Sequence, residues 1–93
     1  MEASLTELVG RYKDQVVPHL RGDALDMVKS DVFSGDEWLL IEDCLHGALL
    51  SDLTIPLDLL ALTEAEIRKA PENDRTAAAL EAIEQHKARH GNN

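Results

Sequence analysis

Four histidines, one cysteine and several adjacent acids are the side chains of this 93-residue sequence that could carry chemistry. His86 and His90 stand four apart, which on a helix puts both imidazoles on one face, the spacing of a chelating pair. A zincin pattern would continue with a Glu; here Lys87 follows His86, and no third ligand is evident. Two ligands on a terminal helix that frays make a poor metal site. Both are therefore expected to be helix-flank residues near a C-terminus that favours their charge, with no metal and no cofactor. Cys44 falls on the apolar face of a predicted helix, where a small buried thiol is common. A nucleophilic cysteine needs a base and a positive field beside it, and His46, two positions on, points away. Asp36-Glu37 and Glu42-Asp43 are adjacent acids whose side chains diverge on a helix, and nothing marks one to be held protonated. The five glycines are scattered and form no phosphate loop. His19 and His46 are expected to be exposed or half-buried polar residues. No catalytic constellation emerges, so the chain is not expected to be an enzyme.

Charge is the larger signal. Nine Lys and Arg stand against 18 Asp and Glu, a net charge of −9. That field repels phosphate backbones and steers toward basic partners. A single cysteine excludes an internal disulfide and fits a reducing compartment. Met1-Glu2-Ala3-Ser4 lacks the basic start and apolar core of a signal peptide, and no apolar run approaches the ~18 residues of a membrane span. A cytoplasmic protein is the expectation.

The elements that must position these residues read as helices. Leu and Ala are abundant, and the aromatics are Tyr12, Phe33 and Trp38 alone. Pro18, Ser34-Gly35, Pro56 and Pro71 punctuate the chain into about five segments of one all-α domain, 1–93. The first, about 4–17, opens on a Ser4/Glu7 capping box and carries Leu5, Leu8, Val9, Tyr12 and Val16 at helical spacing. The second, about 20–32, places Ala24, Leu25, Val28 and Val32 on one face. The third, about 36–53, has Trp38, Ile41, Cys44, Leu45, Ala48 and Leu49 on a broad face, with Leu39, Leu40 and Leu50 outside it. Apolar side chains so cover most of its circumference, which marks a central helix touched by several neighbours. A fourth, about 59–70, is expected to be capped by Asp58 with a Leu57/Leu62 staple, and to turn Leu59, Leu60, Thr63, Ile67 and Ala70 inward. The fifth, about 75–90, capped by Asn73 or Asp74, has a thin stripe of Ala79, Leu80 and Ile83 and should be the least firmly docked.

Without a catalytic site, function falls to the surface. Glu37, Glu42, Asp43 and Asp52 line the third segment and its end, and Leu39, Asp43, His46 and Leu50 share one side of it. Leu39 and Leu50 read as second-face core or, alternatively, as an apolar anchor inside an acidic docking surface. The partner-binding set is therefore Glu37, Leu39, Glu42, Asp43, His46, Leu50 and Asp52. The competing location is the last helix, through Glu81 and Glu84.

The stretch from Asp31 to Ile67 resembles the Maf-type immunity proteins and related small immunity proteins of bacterial polymorphic toxin systems. The resemblance lies in Ser34-Gly35-Asp36-Glu37-Trp38-Leu39-Leu40-Ile41-Glu42-Asp43-Cys44-Leu45 and, further on, Leu49-Leu50-Ser51-Asp52-Leu53-Thr54-Ile55-Pro56-Leu57-Asp58. Asp36 before the Glu and Asp58 in place of a Ser depart from that pattern, though both still serve at helix starts. The resemblance implies a monomer or weak dimer that neutralises a cognate toxin by protein–protein contact, nucleases with basic clefts being one such class, and it carries no catalytic residues. The reading from another class is a generic acidic helical adaptor, regulatory subunit or phage-encoded inhibitor. A metal- or ligand-binding bundle rests only on His86 and His90.

Overall fold

The structure, a computed structural model, describes residues 4–91. Met1, Glu2 and Ala3, weighed above as a leader, and Asn92 and Asn93, expected past the last helix, lie outside them. Helices α1 (Leu5–Gln15), α2 (Gly22–Ser34), α3 (Glu37–Leu50), α4 (Leu57–Lys69) and α5 (Asp74–Gly91) follow in order, with a short 3₁₀ turn at Val17–His19. Among the described residues there is no strand. The Cα radius of gyration of 12.3 Å equals what a compact chain of this length should have.

Local chemistry sets most boundaries. Ser4 Oγ accepts the Glu7 amide at 3.2 Å, and Asp36 Oδ1 accepts the Leu39 amide at 3.0 Å. Asn73 Oδ1 accepts the amides of Arg75 and Thr76 at the start of α5. Gly35, at φ 77°, ends α2 in the left-handed conformation that glycine adopts without cost. The C-terminus of α3 closes the same way without a glycine: Asp52 takes φ 56°, while the Leu53 amide donates to Ala48 O and the Asp52 amide to Leu49 O. That turn ends the helix at Leu50, three residues before the sequence pattern predicts.

Two boundary expectations are corrected. The N-cap of α4 is Pro56, not Asp58, because proline at φ −55° leads straight into the helix at Leu57. Asp58 then lies in the first turn and reaches Arg11 at 2.7 Å instead. Leu57, placed at the first helical position, is exposed and makes no staple.

Helix α3 is the centre. It packs on α1, α2 and α5, and Ile41, Cys44, Leu45 and Ala48 have no solvent exposure. Leu40 is buried too, making it the second-face core residue. The approach of α2 to α3 is set at Gly47: a Cβ there would sit 3.1 Å from Ala24 Cβ and 3.5 Å from Leu20 Cδ2. This docking turns Ala24, Val28 and Asp31 toward α3 and leaves Val32, expected inside, exposed. The core continues through Leu8 and Tyr12 of α1 and Val16 just past it, Leu59, Leu60 and Ile67 of α4, and Ala79, Ala82 and Ile83 of α5. Tyr12 Oη and Thr63 Oγ1 meet at 2.7 Å inside it, and Thr63 Oγ1 donates on to Leu59 O.

The expectation that the last helix docks least is overturned. His86 is buried and its Nε2 lies 2.9 Å from Leu45 O; His90 Nε2 lies 2.7 Å from Ile55 O. Arg89 reaches Leu53 O and Asp52, Lys87 pairs with Glu64, and Arg75 with Glu42. Polar side chains thus tie α5 to α3, α4 and the intervening turn, compensating for its small apolar stripe.

Candidate functional site

Each residue of the sequence-derived docking set can now be placed. Leu39, Asp43, His46 and Leu50, spaced 4, 3 and 4 apart, form one ridge along α3 beside α2. Leu39 and Asp43 are half-buried at its base, while His46 and Leu50 are exposed. Leu50 is 84 % exposed, so it is not second-face core.

The other three acids lie off this ridge. Glu37 opens α3 and lines a hollow of about 240 Å³ between α1 and the α2–α3 turn, shared with Asp31, Asp36, Val9, Val32 and Leu40. Glu42 turns toward α5 and pairs with Arg75 at 3.1 Å, beside a smaller hollow floored by Trp38, Ile67 and Ala79. Asp52 pairs with Arg89 at 2.6 Å.

Charge divides along the same line. In the α4–α5 half, Arg68, Lys69, Arg75, Lys87 and Arg89 each hold an acid within ion-pair distance. Glu64, gripped by Lys87 and Arg68, has its carboxyl pKa lowered by those bonds, and Lys87 and Arg75 are raised in turn by Glu64 and Glu42. On α2 and α3, by contrast, Asp23, Asp26, Asp31, Glu37 and Asp43 have no ion pair among the described residues.

Among the acids, Asp43 departs furthest from ordinary behaviour. Its pKa is raised to about 7, first by burial and then by the hydrogen bond and negative charge of Asp31, with Glu42 adding and Arg75 opposing. The partner is not the sequence neighbour Glu42 but a carboxyl from the facing helix. Asp31 is itself only 6 % exposed, and its Oδ2 has no hydrogen-bond partner. Sequence reading missed Asp31, although the signal was there: it stands seven after Ala24 and three after Val28, on the apolar face of α2. It also missed Phe33, which is 96 % exposed at the end of α2.

The residues weighed for other chemistry are occupied structurally. Each histidine of the candidate chelating pair directs Nε2 at a backbone carbonyl, and His86 is a buried anchor, not a flank residue. Burial lowers its pKa, and the bond to Leu45 O opposes that shift. Among the described residues no three His, Cys, Asp or Glu side chains converge as metal ligands. Cys44 is buried, and burial with the nearby charges of Asp43 and Asp31 pushes its thiol up to about 12, the opposite of nucleophilic activation. No described helix is long and apolar enough to cross a membrane.

No family model matches this chain, and comparison with curated proteins and with solved structures finds no match either.

Proposed function

We propose that this chain is a binding module of the immunity type, which captures and neutralises a basic partner protein on its α2–α3 side. The observation that carries the reading is the distribution of charge: Asp23, Asp26, Asp31, Glu37 and Asp43 of α2 and α3 hold no ion pair among the described residues, Leu50 is exposed on the same α3 ridge as Asp43, and the cations of α4 and α5 are tied to acids within the fold. An exposed apolar anchor on a face where acids outnumber cations suits an electrostatically steered interface. The resemblance of residues 31–67 to Maf-type immunity proteins supports a toxin as the partner, and the acidity supports one whose active cleft is basic.

Co-purification with the products of the genes adjacent to its own tests this, using Asp43→Lys with Leu50→Ser against Glu81→Lys. The double variant should keep its helical circular dichroism, slow association and reduce the salt dependence of the on-rate. Loss of binding through Glu81→Lys alone would move the interface to α5. A partner insensitive to all three changes would leave the acidity as a solubility device only.

A further inference from the structure

Two independent features of the surface converge on the pair of helices α2 and α3. The first is apolar: among the large hydrophobic side chains left exposed, Met27, Val32 and Phe33 belong to α2 and Leu50 to α3. The second is charge: from Gly22 to Leu50 the chain has seven acids and a single Lys or Arg, Lys29. Helix α2 makes its principal contact with α3, so both flanks of that contact line stay open. Spacing sorts the exposed residues between the flanks. Ala24, Val28 and Asp31 face α3, and Val32 stands on the α1 side of them, where it lines a hollow together with Lys13. Lys29 lies one turn before Val32 on that same side. On the flank away from α1, Asp23, Met27, Ser30 and Ser34 follow one another at 4-3-4 spacing. The ridge of Leu39, Asp43, His46 and Leu50 runs antiparallel beside them, in the register fixed where Gly47 meets Ala24. That register puts Met27 opposite His46 and Asp23 opposite Leu50. The strip so formed has exposed Met27 and Leu50, acids beside both, and no Lys or Arg from either helix. Arg75 of α5 is held by Glu42 instead.

We propose that this strip receives one amphipathic helix of the partner, with Lys or Arg flanking an apolar stripe. This rests on the binding reading above and names the form and chemistry of the partner's docking segment. Main-chain pairing with an extended segment needs an open strand edge, and the described residues contain no strand. A proline-rich segment needs an aromatic-lined groove. The strip offers none, since Trp38 lines the hollow toward α5 and Phe33 lies on the side of α2 opposite α3. A helix laid along two helices fits the dimensions. Leu39 to Leu50 is eleven positions, about 16 Å or three turns, so partner residues at i, i+4, i+7 and i+11 follow the apolar line. Cations beside that stripe meet Asp23 and Asp43. A second copy of this chain is the wrong occupant, because at a net charge of −9 it brings acids to acids.

The test uses two synthetic peptides of identical Leu and Lys content. One repeats Leu-Lys-Lys-Leu-Leu-Lys-Leu, an amphipathic helix; the other is scrambled so that no helical face forms. Each is titrated into the isotope-labelled whole protein and followed through backbone amide shifts. The ordered peptide should bind roughly tenfold or more tighter, the worth of seating apolar side chains on two anchors. Its shifts should centre on Met27, His46 and Leu50. Met27→Ser with Leu50→Ser should abolish the preference with circular dichroism unchanged, and Phe33→Ser should keep it. Equal binding of both peptides on the α2–α3 side would overturn helical docking and leave the acidic binding surface standing. A preference lost in Phe33→Ser but kept in the double variant would overturn the strip in favour of the outer face of α2. Sedimentation of the protein alone as a dimer that Leu50→Ser dissolves would give the strip to a second copy. No saturable shift with either peptide would overturn the strip, and shifts confined to α4 and α5 would overturn the binding reading with it.

Discussion

Replacing Asp43 by Asn should stabilise the protein, increasingly as pH rises from about 4 to neutral. In the unfolded chain the carboxyl titrates at its ordinary 3.8; in the fold it titrates at about 7. Between those values the folded state holds a proton that the unfolded state has released, so stability falls as pH rises through the interval and is lowest above it. The distance between the two values sets a ceiling of about 4 kcal/mol. Asp43 is half-buried, not sealed, and water screens part of the repulsion, so we expect about 1–2 kcal/mol at pH 8. Asn keeps the shape, carries no charge and offers Asp31 a permanent N–H donor, reproducing the protonated state at every pH. Thermal melts at pH 8 should show a rise on the order of 5–10 °C over the parent for a domain of this size. At pH 4, where the parent carboxyl is protonated in the fold, the difference should shrink to within ~0.5 kcal/mol. A variant less stable than the parent at pH 8, or stabilised equally at both pH values, would show that the two carboxyls do not repel.

Other substitutions address the rest of the fold. Leu45→Ala, at a fully buried position of the central helix, should cost about 2–5 kcal/mol in denaturant melts through the cavity it leaves. Leu50→Ser should alter stability by less than ~0.5 kcal/mol, because that side chain already faces water. His86→Gln should flatten the decline in stability below pH 6.5: the fold lowers this pKa, so the unfolded chain takes up the proton first and acid favours unfolding. Asp52→Gly should be neutral or stabilising by up to about 1 kcal/mol in the same melts, since relief of the φ 56° conformation outweighs an exposed pair with Arg89.

How far the sequence discloses this structure depends on what each residue reports. Periodicity reports burial of helix faces, and Leu8, Tyr12, Ile41, Leu45, Leu60 and Ile83 all fall inside where their spacing puts them. Caps report starts, and Ser4, Asp36 and Asn73 act as their types suggest. Neither signal carries the rotation of one helix about its axis relative to another. That rotation, fixed by the close approach at Gly47, turned Val32 out and Asp31 in. Nor does a thin apolar stripe reveal long-range polar anchors: His86 finds Leu45 O 41 positions away, and no local pattern foretells a carbonyl there. The ridge of Leu39, Asp43, His46 and Leu50 was legible because 4-3-4 spacing is a property of one helix. The carboxyl pair was not, because it joins two.

The same limit explains why the pair is the informative feature of the surface. A net charge of −9 is a diffuse cost of folding that salt screens over about 10 Å, and most acids here meet it by facing solvent or by pairing with α5 and α4 cations. Asp31 and Asp43 do neither, since the helix contact brings them together in a partly dehydrated place where screening is weak. Replacing either by a neutral side chain would be a short route to a more stable domain, as stabilising changes commonly are. Retaining both keeps a like-charge contact that a proton or a neutral side chain relieves.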